Sequence, residues 1–228
     1  MSEKFMKTEN TDLNPYKLAE MLETLENTVE LHSISVRYKG EPVLEGAWAP
    51  FSLDEPQMMH SLSKIGTSIC VGFAVTEGKL HLEDKFLDYV REELPENYDE
   101  ALEEVTVYDL LTMQAGSKEC CNNVWFSRLE KDWETNWLKQ PKIREDIGKA
   151  FHYDSGCSYT LSRIVSKVMG ENCLSIMQKR VFDKMGLGKI QLAYQSGGTQ
   201  HRWMGHVSYG PPDFRTCTAS DSERKLEW

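Results

Sequence analysis

Between Asn14 and about Asn27, Tyr16, Leu18, Met21, Leu22 and Leu25 recur at helical spacing, with Glu20, Glu23 and Glu26 opposite them. That pattern predicts an amphipathic helix. Leu31 to Tyr38 then alternates, Lys39-Gly40-Glu41-Pro42 supplies turn residues, and Val43 to Trp48 reads as a returning strand. After Pro56, the run from Ser61 to Glu77 carries Ile65, Ile69 and Phe73 among the small residues Gly66, Gly72 and Ala74. This predicts a tightly packed buried helix that uses Gly78 as its C-cap. From Leu80 to about Leu187 alternation fades and helical periods dominate, over Val105 to Met113, Val124 to Lys139, Ser158 to Met169 and Cys173 to Met185. This stretch reads as a helical lobe. The first ten residues carry no period and are expected to fray, and the tail from Gln191 to Trp228 shows no sustained period of either kind.

Composition narrows the class. A chain of 228 residues fits one domain, or one domain with an inserted lobe, at ~150 residues per domain. With 40% hydrophobic residues it can close a core and offset the ordering entropy. Its 26 basic against 36 acidic side chains leave a net charge of −10, the wrong sign for a phosphate-binding surface, so nucleic acid is excluded as a partner. No window approaches the ~20 apolar residues of a membrane span, and Met1 to Asn10 holds no apolar run of a signal peptide. The cysteines Cys70, Cys120, Cys121, Cys157, Cys173 and Cys217 show no CxxC spacing and no nearby His at ligand spacing. Free buried thiols are therefore expected, with no metal and no cofactor, in a reducing cytoplasm.

The chemistry centres on Ser61-Leu62-Ser63-Lys64. A serine hydroxyl becomes a useful nucleophile when a base lies within hydrogen-bond reach. Positions i and i+3 of a helix are neighbours on one face, so Lys64 can reach Ser61, whereas Ser63 lies off that face. Ser-x-x-Lys also occurs at Ser222/Lys225, but that copy sits in a polar tail, while the first opens an apolar helix capable of burying Lys64 and lowering its pKa. Two further segments matter. Tyr153-Asp154-Ser155 precedes the helix at Thr160 to Met169, and Val107 to Gly116 reads as a short helix ending in Gly. A tyrosine before a helix can point its phenol into a cleft, where a lysine ammonium stabilises the phenolate for proton transfer.

Three features in this order resemble the serine β-lactamase and penicillin-binding protein superfamily, particularly the class C β-lactamases and related esterases. They are Ser-Leu-Ser-Lys with its helix to Glu77-Gly78-Lys79-Leu80, the Leu-Leu-Thr-x-x-Ala-Gly segment, and Phe151-His152-Tyr153-Asp154-Ser155 before a helix ending at Gly170. The likeness runs from about Leu31 to Ile190. It implies an α+β, β-lactamase/transpeptidase-like fold, with an antiparallel sheet, flanking helices and a helical lobe, and a site in the cleft between lobes. Residues 1–80 would form the N-terminal part of the α/β lobe including the nucleophile helix, residues 81–190 the helical lobe, and residues 191–228 an atypical tail. By the resemblance Ser61 is the acylated nucleophile, Lys64 its base partner and Tyr153 the proton shuttle. Ser155 stands where the family usually has Asn, and would bind the substrate amide through its hydroxyl. The implied activity is a serine hydrolase acting through an acyl-enzyme on a small ester, amide or β-lactam. The alternative is a catalytically inactive, truncated member serving as a binding module or a non-functional fragment.

The family's third motif, Lys-Thr-Gly or Lys-Ser-Gly, does not occur in the sequence, and the closing strands have no room, so the sheet is expected to be incomplete at the C-terminus. Trp203-Met204-Gly205 must be encoded TGG-ATG-GGN, which one base along reads Gly-Trp-Gly when the flanking bases permit. This predicts a frameshifted end, against the alternative of an unusual but genuine tail. Trp125, Trp133, Trp137 and Phe126 suit helical-lobe core better than an acyl-binding wall. His60 and His152, each adjacent to a candidate residue in sequence, point elsewhere. The acidic run Arg91 to Glu104 is expected to be a solvated loop and helix start, and His201 and His206 lack a third ligand. The sequence leaves the oligomeric state open.

Overall fold

The computed structural model describes residues 3–6, 12–53, 57–58, 60–118, 133–187, 190–192 and 207–209. By internal contacts the chain divides into two units, residues 1–58 with 182–191 and 208–228, and residues 59–181 with 192–207.

In the first unit, helix α1 (Pro15–Thr28) starts where Asn14 accepts hydrogen bonds from the Tyr16 and Lys17 amides at 2.9 and 3.3 Å, with Pro15 in the first turn. Both features satisfy amides that have no intrahelical partner. Of the expected apolar stripe, Leu22 is buried and Tyr16 is exposed. Strands β1 (Glu3–Met6), β3 (Glu41–Ala47) and β2 (Ser33–Tyr38) form an antiparallel sheet in that order. The N-terminus thus departs from the expected fraying, because its backbone groups pair along β3 from Glu3↔Ala47 to Met6↔Leu44. Flanked on both sides, β3 buries the consecutive residues Val43 and Leu44. Lys39 and Gly40 both take left-handed backbone angles, at φ 52° and 86°, as a tight two-residue hairpin turn requires. A short strand β4 (Gln57–Met58) pairs with β6 (Val207–Tyr209) in a second sheet of order β4-β6-β5, with β5 at Ile190–Leu192. The tail that lacked periodicity therefore supplies β6 and the end of β5. The expected frameshift, Trp203-Met204-Gly205, His201, His206 and Ser222/Lys225 all fall outside the described residues.

The second unit is helical. A 3₁₀ turn over His60–Ser63 leads into α2 (Lys64–Thr76), which buries Gly66, Thr67, Cys70, Val71 and Ala74. The helix forms as expected and Gly78 follows it at φ 65°, but it is buried on one side and not all round. Ile65 is 58% and Ile69 37% exposed. The small residues instead make the packed face, since short side chains let neighbouring helices approach closely. That face meets α6 (Ser155–Met169) and α7 (Cys173–Met177).

Between them lie α3 (Leu87–Val90), α4 (Val107–Leu111) and α5 (Trp133–Lys139). A capping box sets the start of α4: Thr106 Oγ1 accepts from the Asp109 amide at 3.1 Å, and Asp109 accepts from the Thr106 amide at 2.8 Å. The acidic run from Arg91 to Glu104 is less solvated than expected. Ala101 and Leu102 are buried within it, and Arg91 pairs with Glu103 at 2.6 Å. Cys70, Cys157 and Cys173 are free and buried, as expected for structural thiols. The other cysteines, together with Trp125 and Phe126, fall outside the described residues. No helix among the described residues is long and apolar enough to cross a membrane.

Candidate active site

Ser61 sits in the 3₁₀ turn and Lys64 opens α2. The sequence predicts an α-helical offset between them. A 3₁₀ turn instead eclipses residues three apart, which stacks the lysine over the serine. Lys64 Nζ donates to Ser61 Oγ at 3.0 Å. Ser63 is buried and faces away from this exposed position. Lys64 itself is half-buried, less enclosed than the apolar run suggested.

The third member arrives from distant sequence. The Tyr153 phenol donates to Ser61 Oγ at 2.6 Å, and Lys64 Nζ lies 5.1 Å from the centre of the Tyr153 ring. Ser61 Oγ therefore accepts from both candidate proton carriers at once. All three residues belong to the second unit. Burial pushes the Tyr153 phenol up, but hydrogen bonds with Lys64 and Ser61, the Lys64 charge and a contribution from Ser155 outweigh it and hold the phenol below the usual tyrosine range. Favouring the charged form in this way suits a group that must give and take a proton. Ser155, expected to contact substrate, is buried at the first turn of α6, beside Tyr153.

The loop that delivers Tyr153 is anchored by the segment after α4. The His152 amide donates to Met113 O at 2.9 Å, Gly148 N to Gln114 O at 3.0 Å, and Ile143 N to Gly116 O at 2.7 Å. At Gly116, where φ is 71°, a Cβ would stand 2.6 Å from Ile143 O, so only glycine lets the two backbones meet. The Ala115-Gly116 pair thus anchors the chain that leads to Tyr153. His152 is turned to Asp146, with Nε2 at 2.8 Å from the carboxyl, and so stands apart from Ser61. The side chains of His60 and Trp133 fall outside the described residues.

Sequence reasoning missed Asp154, which is buried and joins three elements. Its Oδ2 accepts from Ser117 Oγ at 2.5 Å and from Trp137 Nε1 at 2.6 Å, and its Oδ1 accepts from Gly156 N at 2.9 Å. Asp directly before a helix is an N-cap signal, but nothing local in the sequence identifies Ser117 and Trp137 as its partners. Trp137 is 1% exposed, consistent with the core role expected of it.

Comparison with known proteins bears on the fold. A class C β-lactamase solved in complex with cefoxitin is similar at 17% identity and TM-score 0.64, covering 86% of this chain and 60% of that one. A penicillin-binding protein homolog from Caulobacter crescentus is similar at 22% identity and TM-score 0.58, covering 82% and 53%. A penicillin-binding protein from Bacillus halodurans is similar at 15% identity and TM-score 0.59, covering 91% and 74%. At these identities the likeness is one of fold. The chain spans 53% to 74% of the length of these solved proteins. Among curated proteins no sequence matches it. The Beta-lactamase family model matches residues 30–225, which takes in Ser61, Lys64 and Tyr153 together with the segments that position them, and on that match the chain belongs to the Beta-lactamase family.

Proposed function

We propose that this chain is a serine hydrolase that acts through an acyl-enzyme on a small ester, amide or β-lactam. The observation that carries the reading is the convergence of Lys64 Nζ and the Tyr153 phenol on Ser61 Oγ, at 3.0 and 2.6 Å. Ser61 is exposed, so an incoming carbonyl can reach it.

When the Tyr153 phenol is ionised its contact with Ser61 reverses, and the serine hydroxyl donates to the phenolate. Ser61 Oγ then forms a bond to the substrate's carbonyl carbon as its proton passes to the Lys64–Tyr153 pair. The bond from that carbon to the leaving nitrogen or oxygen breaks, and the leaving group takes the proton back from Tyr153. Water repeats the sequence on the acyl-enzyme and frees Ser61. General acid–base assistance of this kind contributes ~10²–10⁴-fold in rate. Ser155 is proposed to orient the substrate amide, by analogy with the family's usual Asn. The β-lactam class enters by analogy with the cefoxitin-bound neighbour.

A fluorescent β-lactam and a fluorophosphonate probe test the reading. Wild type and Ser222→Ala are expected to label and Ser61→Ala is not. Folded wild-type protein that labels with neither probe favours an inactive binding module.

A further inference from the structure

We propose that Asp154 is a positioning residue for Tyr153: anchored in the core by three donors, it turns the phenol toward Ser61. The inference rests on the acyl-transfer reading above, and concerns what holds the proton carrier in place.

Asp154 is fully buried and its backbone is extended, at φ −144° and ψ 118°. In extended chain neighbouring side chains point to opposite sides. Pinning the Asp154 carboxyl inward therefore directs Tyr153 outward, where it is 43% exposed and meets Ser61. The pins come from separate places: the Ser117 hydroxyl beyond α4, the Trp137 indole on α5 and the Gly156 amide on α6. The indole is itself fixed, with its ring edge against Phe86 at 6.0 Å between centres and Lys142 Nζ 4.5 Å from its own centre. Gly156 completes the seat. A Cβ there would stand 2.2 Å from Trp137 Cδ1, so the missing side chain is what admits the indole.

The donor pattern makes asparagine a sharp probe despite its near-identical volume. Both carboxyl oxygens accept, whereas an amide offers one acceptor oxygen and must turn its NH₂ toward at least one of the donors. Ser117→Ala is the milder second variant, since it removes one hydroxyl and leaves the Trp137 and Gly156 contacts.

The test combines a tyrosine absorbance titration with probe labelling. The difference between each background and its Tyr153→Phe version reads that single phenol without relying on activity. In wild type it titrates below the ordinary ~10 of tyrosine, and in Asp154→Asn and Ser117→Ala it moves back up toward that value. Labelling of Ser61 slows in Asp154→Asn by ~10²-fold, the scale of a misplacement of about 1 Å. Adding Tyr153→Phe then costs little more, because both changes remove one unit's contribution. Folded Asp154→Asn and Ser117→Ala proteins with wild-type titration overturn the proposal, as does an undiminished cost of Tyr153→Phe in the Asp154→Asn background. Collapse of the fold in Ser117→Ala overturns it too, since the network would then hold the fold and not the phenol. If wild type fails to label at Ser61 the acyl-transfer reading falls, while the titration still decides the positioning role.

Discussion

Tyr153 and Ser61 lie 92 positions apart in sequence, yet their oxygens are 2.6 Å apart. Lys64 stands beside both, with Nζ 3.0 Å from the serine oxygen and 5.1 Å from the centre of the phenol ring. A cation in that position favours the phenolate, and its removal has a definite sign.

Lys64→Met keeps length and loses charge. The Tyr153 phenol should rise toward its ordinary value, so the ascending, acid-side limb of the pH–rate profile for Ser61 acylation, where the phenol must lose its proton, moves to higher pH. Acylation at neutral pH should fall by ~10²–10⁴-fold. Stopped-flow labelling across pH checks both; an unmoved limb would show that Lys64 does not govern the phenol.

Gly156→Ala places a methyl 2.2 Å from Trp137 Cδ1. Overpacking of a filled site costs about 1–3 kcal/mol, and here the displaced group also donates to Asp154. Urea unfolding should register the loss. Gly72→Ala is the control: among the described residues no atom beyond its own helix backbone lies within 4 Å of its added Cβ, and alanine is the better helix former, so it should be neutral or stabilising.

Much of this was legible in the sequence, for reasons that differ by element. The β2–β3 hairpin was readable because Lys39-Gly40 marks the turn between two apolar runs, and α6 because its period closes on Gly170, which takes the expected left-handed φ of 73°. Ser61, Lys64 and Tyr153 were readable as residue types at a familiar spacing, although their convergence depends on contacts across the fold. The burial of α2 was legible only in part: apolar content suggested a helix enclosed all round, whereas close packing buries Gly66, Cys70 and Ala74 and leaves Ile65 and Ile69 exposed. The pairing of β1 was missed because an edge strand of four residues carries no usable period. Asp154 was missed because its partners Ser117 and Trp137 meet it only through tertiary structure.

Asp84 and Tyr89 give stability a dependence at both ends of the pH scale. The hydrogen bond from Tyr89 holds the Asp84 carboxyl below its usual range, so its contribution is present above the ordinary Asp value and is lost as pH falls through the lowered one. Burial first, and then Asp84, push the Tyr89 phenol up to about 12, so its contribution is present below the ordinary tyrosine value and is lost as pH rises through about 12. Tyr89→Phe should flatten the urea midpoint against pH at both extremes. Unchanged slopes would mean that the pair does not couple to folding.

Cys70 is fully buried against α7, where its thiol donates to Cys173 O at 3.5 Å, and its contact with Cys173 together with burial pushes the thiol up. Thiols of this kind are poor nucleophiles. Iodoacetamide followed by peptide mapping should leave Cys70 and Cys157 unmodified in native protein and alkylate both in urea. Rapid native modification of Cys70 would contradict the packing of α2 on α7.

Acylation of Ser61 is read by intact-protein mass spectrometry with peptide mapping after exposure to a slowly released β-lactam or activated ester. One adduct per folded chain is expected, on the peptide holding Ser61 and absent from Ser61→Ala. An adduct mapped to another residue, or none on protein shown to be folded, would contradict it.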